Sequence, residues 1–111
     1  MSTLSAVAVQ TRYAVRLRHL ASSARLVDPG VKPYVALHDQ ARALEAAVRA
    51  EAPEMAGHLI GECRRTLAGI RATSSGDPFE AAVVADGRAA LNRLANMIRC
   101  NDPDPLDPPA T

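Results

Sequence analysis

The stretch DPFEAAVVADGRAALNRLANMIR, residues 77–99, decides the fold. It opens with helix-start chemistry. Asp77 can cap the first turn, Pro78 sits where its missing N–H costs nothing, and Glu80 stands three places after the cap. Val83, Gly87, Ala90, Leu91, Leu94 and Ile98 then recur at three- and four-residue steps. That period marks one apolar stripe on an amphipathic helix running to about Arg99.

Upstream of the Thr73-Ser74-Ser75-Gly76 link, Met55, Leu59, Cys63, Thr66, Leu67 and Ile70 give a second stripe of the same period. A third, Leu37, Ala41, Leu44, Val48 and Ala52, starts at Pro33 and carries Asp39, Arg42, Glu45 and Arg49 on its other face. Pro53 removes one backbone hydrogen bond and crowds the preceding turn, so the spacing predicts a short break there. Residues 33–73 contain no Gly, Asn or Ser near that point, and one long kinked helix is the alternative. The first segment, about Ser5 to Leu26, places Val9, Tyr13, Leu17, Leu20, Ala24 and Val27 on its stripe and stops at Asp28-Pro29-Gly30.

Four amphipathic helices with short links predict an all-α, antiparallel four-helix bundle over residues 1–100. Residues 101–111 hold four prolines and three aspartates and read as a disordered tail.

Composition agrees with this class. Of 111 residues, 22 are alanine and 12 arginine, 48% are hydrophobic, and the formal net charge is +1. Both dominant residues favour helix. Three aromatic residues and no tryptophan argue against a platform for stacking bases or sugars. The start of the chain lacks a basic leader before its short apolar run, and no stretch reaches the ~20 apolar residues that span a bilayer. Cys63 and Cys100 form neither a C-x-x-C pair nor a zinc pattern. A soluble cytoplasmic protein with reduced thiols is the expectation.

Candidate chemistry is sparse. Glu54, His58 and Glu62 repeat every four residues, so one side of a helix carries two carboxylates and an imidazole, the groups of an acid–base or metal site. The paired Glu-x-x-His pattern of di-iron bundles is absent, and a solvated polar face accounts for the same residues. No metal and no cofactor is expected. Gly57 and Gly61 cost about 0.5–1 kcal/mol each in a helix interior, which points to close approach of another backbone, from a neighbouring helix or from a second copy of the chain.

Arg12, Arg16, Arg18, His19 and Arg25 make the first helix basic, a surface for an anionic partner. Nucleic acid is argued against by so thin a charge footprint. Cys63 falls on an apolar stripe, where a buried thiol is the ordinary state.

The predicted architecture resembles that of histidine phosphotransfer domains, whose motif is an exposed His followed by Lys and then Gly. His58-Leu59-Ile60-Gly61 has no lysine and brings its glycine one place early, and His19 and His38 lack the motif. Residues 35–99 are similar to a group of small actinobacterial helical proteins of natural-product biosynthesis. The likeness rests on Leu37-His38-Asp39-Gln40, on Gly61-Glu62-Cys63-Arg64-Arg65-Thr66-Leu67 and on Arg88-Ala89-Ala90-Leu91-Asn92-Arg93-Leu94. That resemblance implies a setting in secondary metabolism and no catalytic residues.

The leading functional expectation is a non-catalytic bundle that binds a protein partner or itself, with Gly57, Gly61, Arg12 and Arg16 as interaction residues. The alternatives are a small cofactor-independent enzyme holding an anionic small molecule in a bundle pocket, and a phosphotransfer-like signalling bundle.

Overall fold

The computed structural model describes residues 6–73, 76–100 and 104–106. Four helices account for nearly all of them: α1 (Ala6–Val27), α2 (Lys32–Arg49), α3 (Pro53–Thr73) and α4 (Pro78–Ile98). No strand occurs among the described residues. Helix α1 packs on α2 and α4, and α3 packs on the same two, so every helix has two neighbours around one core. No described helix is long and apolar enough to cross a membrane.

The core is aliphatic and closely filled. Leu17, Tyr34, Leu37, Leu44, Ile60, Leu67, Ile70, Leu91 and Leu94 are all buried. Each aliphatic side chain among them contributes about 1.5–3 kcal/mol on leaving water. At its centre α4 offers no side chain. A Cβ added to Gly87 would lie 2.9 and 3.2 Å from the two methyl carbons of Leu67 and 3.5 Å from Leu17 Cδ1. Three helices therefore meet at one glycine.

The expected stripes hold on α4 and on most of α2. On α1 the helix is rotated from the expected face: Thr11, Ala14, Leu17, Ala21 and Ala24 are buried, Tyr13 and Leu20 flank the seam, and Val27 is 65% exposed. Small alanines let α1 sit close to its neighbours, and the larger side chains cover the edges instead. On α3, Ala56 and Ile60 are buried and Met55 is 54% exposed, because Met55 lies in the first turn beyond the reach of the core.

The break between α2 and α3 is real and has a defined geometry. Glu51 adopts a left-handed φ of 55°. Its N–H donates to the Val48 carbonyl and the Ala52 N–H donates to the Ala47 carbonyl, both at 3.0 Å. This is a Schellman closure with glutamate where glycine is usual. Pro53 then opens α3, and Ala52 before it is kept from helical geometry. At the start of α4, Asp77 Oδ1 accepts from the Phe79 N–H at 3.0 Å, so the cap stands where the spacing placed it.

The tail departs from expectation at three residues. Asp104 is buried, and Leu106 packs against the core. Arg88 Nε donates to Asp104 Oδ2 at 2.7 Å, and the Leu106 N–H donates to Asp104 Oδ1 at 2.9 Å. Composition argued for disorder because aspartate and proline bury little apolar surface, yet one carboxylate facing a helix arginine is enough to dock this segment. Positions 101–103 and 107–111, with Ser74 and Ser75, lie outside the described residues. Burial by itself would raise the Asp104 carboxyl; the Leu106 N–H and the hydrogen bond and charge of Arg88, with Arg64 beyond, outweigh it and leave the pKa lowered.

Two outcomes follow for stability. Replacing Glu51 with glycine should raise stability by about 0.5–1 kcal/mol, since it relieves a left-handed non-glycine residue while the unfolded chain gains some entropy; thermal unfolding would register that as a higher Tm. Asp104→Ala should cost about 1–2 kcal/mol and lower Tm by roughly 5 °C or more, because it strips an acceptor from a half-exposed arginine. The lowered carboxyl stabilises above its unfolded pKa, so the difference from wild type should shrink as acid protonates it.

Candidate functional site

The polar groups of α3 do not converge on a cavity. His58 and Glu62 face each other across one helical turn, with Nε2 and Oε2 3.8 Å apart and the imidazole 66% exposed. Glu54 is exposed at the start of the same helix. Glu54, Gly57 and His58 border an open hollow of about 390 Å³ that Ile98, Arg99 and Cys100 close from the end of α4.

The two glycines of α3 are placed against their own chain. A Cβ on Gly57 would lie 3.7 Å from Cys100 Sγ, and the Cys100 thiol donates to the Gly57 carbonyl at 3.8 Å. Gly61 is buried within the bundle. Arg99 leaves α4 through a left-handed φ of 57°, which turns Cys100 back toward α3. Close approach is thus intramolecular at Gly57, and the tightest glycine contact belongs to Gly87.

Cys63 is fully buried, and burial first, then the charge of Glu62, pushes its thiol up to about 12. Such a thiol stays protonated and is a poor nucleophile.

The basic residues of α1 divide between two sides. Arg18 Nε donates to Glu45 Oε1 at 2.8 Å, and Arg49 shares the other oxygen of Glu45 at 2.9 Å. Arg25 Nη1 reaches His38 Nδ1 at 3.4 Å. These two arginines are turned toward α2. Arg12 and Arg16 are exposed. Arg16 borders two adjoining hollows on the α1–α4 side, one of about 310 Å³ with Tyr13, Asp86, Ala89, Ala90 and Arg93, the other of about 200 Å³ with Leu17, His19, Leu20 and Ser23. Asp86 and Ala90 belong to both, so the hollows form one groove.

Burial pulls the Glu45 carboxyl up, but hydrogen bonds from Arg18 and Arg49 and their charges outweigh it and leave its pKa lowered. Sequence spacing showed the Arg49 pair. The Arg18 pair, like the Thr66 hydroxyl that donates to Gln40 Oε1 at 2.7 Å, links residues far apart in sequence and had no local signal. The same is true of Arg64, which is buried and donates to Asn92 Oδ1 at 3.1 Å.

No protein-family profile, curated protein or solved structure compared with this chain matches it significantly. The fold and the surfaces described above carry the functional argument alone.

A double-mutant cycle on Arg18→Ala and Glu45→Ala should give a coupling of about 0.5–1 kcal/mol near neutral pH, the range for a pair this exposed. A lowered carboxyl stabilises above its unfolded value, so the coupling should be fully present above that value and be lost as the pH falls through the lowered pKa, read from urea midpoints.

Proposed function

We propose that the chain is a non-catalytic helical module, an antiparallel four-helix bundle that works in the cytoplasm by binding a partner protein. The contacts between α1 and α2 run in opposite directions along the two helices, which supports the antiparallel arrangement: Arg18 meets Glu45, and the later Arg25 meets the earlier His38. The observation that carries the functional reading is the α1–α4 groove. It is shallow, open and bordered by Arg16 and Arg93 beside the half-buried faces of Tyr13 and Leu20.

Apolar flanks with Arg16, Arg93 and Asp86 at the rim suit an amphipathic helix along the seam whose acidic side chains meet the two arginines, where rim charges steer encounter and the apolar flanks hold it. An enclosed ligand site would instead bury most of a small molecule among converging polar groups. The setting in bacterial secondary metabolism, implied by the resemblance of residues 35–99, fits an accessory role of this kind.

The test is Arg16→Glu combined with Arg93→Glu. Proteins captured by the wild type from its own cells would be identified, purified and titrated against both forms. The reading expects binding about tenfold weaker or worse for the double variant, which is ~1.4 kcal/mol, with unchanged helicity and with wild-type affinity falling as salt rises. A partner that binds both forms equally, or one released by changing Glu54, His58 and Glu62 instead, would overturn it.

A further inference from the structure

At the end of the bundle where α1 stops and α4 starts, three carboxylates gather. Asp28 follows the last residue of α1, Asp77 caps α4 and Glu80 lies in its first turn. One oxygen from each lies within 4.8 Å of the other two. Among the described residues none of the three forms a contact ion pair with an arginine, lysine or histidine. Asp28 is also placed at the C-terminal end of α1, where the helix dipole is itself negative.

The second observation is Tyr34, in the first turns of α2. Its residue exposure is 0%, and its hydroxyl is buried with no hydrogen-bond partner. A buried hydroxyl without a partner costs free energy that a fold ordinarily avoids. Burial first, and then the charges of Glu80, Asp28 and Asp77, hold the phenolic proton on more tightly. Those same three acids are the charges that act on it. Backbone bonds tie the start of α2 to Asp28: the Val31 N–H donates to the Asp28 carbonyl and the Tyr34 N–H to the Val31 carbonyl, both at 3.1 Å.

We propose that Asp28, Asp77 and Glu80 bind a divalent cation, with the buried Tyr34 hydroxyl donating its hydrogen bond to a water on that ion. All the donors are hard oxygens, and no sulfur or imidazole belongs to the cluster. That chemistry selects calcium or magnesium over zinc or copper. Donors drawn from the ends of α1 and α4, with adaptable carboxylates, suit the flexible shell of calcium better than the strict octahedron of magnesium. The ion would cross-link the α1–α2 turn to the start of α4 and offset most of the charge of the three acids. The site is separate from the α1–α4 groove and shares no residue with it.

Calcium and terbium ions, added to the whole chain, test this. Calcium chloride should raise Tm by about 5 °C or more at saturation, by mass action on the folded state, and magnesium chloride by less. Terbium, a calcium surrogate excited through a nearby phenol, should emit with the wild type and with Tyr13→Phe, and not with Tyr34→Phe. Asp77→Asn keeps the helix cap and removes the charge, and Glu80→Gln removes a second; each should lower calcium affinity at least tenfold in a calorimetric titration. A wild type whose Tm is indifferent to millimolar calcium, an emission that survives Tyr34→Phe, or a calcium response retained by Asp77→Asn and Glu80→Gln would each refute the site.

Discussion

The bundle depends on what is missing at Gly87. Leu67 of α3 and Leu17 of α1 both press into the space a side chain would occupy there, so α4 can close over the two helices that lie across the core from each other. A larger residue would have to move the terminal methyls of the fully buried Leu67 aside. The glycine loses about 1 kcal/mol of helix propensity relative to alanine. That loss is offset by the leucine packing it permits. The alanines on the inner face of α1 serve the same end, since Ala14, Ala21 and Ala24 bring that helix in close enough for Leu17 to reach the centre.

Once the helices are this close, their ends need separate solutions, and each is made from ordinary residues under a local constraint. Glu51 takes a left-handed conformation because Pro53 forbids the helix to continue and the orphan carbonyls of Ala47 and Val48 need donors. Arg99 turns the same way, and Cys100 is returned to Gly57. Asp104 then covers part of the α3–α4 face, held by Arg88 and lying in the field of buried Arg64. An arginine can be buried on a bundle flank when its charge has an acceptor such as Asn92 and an acid close by.

Charge on this molecule is sorted by position. The α1–α2 seam carries the Arg18–Glu45–Arg49 group, the α1–α4 groove carries Arg16 and Arg93 with Asp86, and Asp28, Asp77 and Glu80 meet where α1 ends and α4 begins. A nearly neutral total therefore conceals surfaces of opposite sign, and each surface suits a different kind of partner.

Local pattern alone determined the cap at Asp77 and the buried face of α4, and it favoured a break before Pro53 over one long kinked helix, because each depends on residues within a few positions of one another. The rotation of α1 was beyond its reach. Leu20 and Val27 look like better core residues than Ala14 and Ala21 until a neighbouring helix demands close approach. The role of Gly87 was hidden for the same reason: on a stripe of apolar residues it resembles a weak core position, and only Leu17 and Leu67, 70 and 20 residues away, give it a purpose. Docking of Asp104 and the meeting of Asp28, Asp77 and Glu80 around Tyr34 likewise belong to the tertiary structure. In sequence those aspartates mark a tail, a turn and a cap. Asp77 and Glu80 share one helical turn, and only packing brings the distant Asp28 to them.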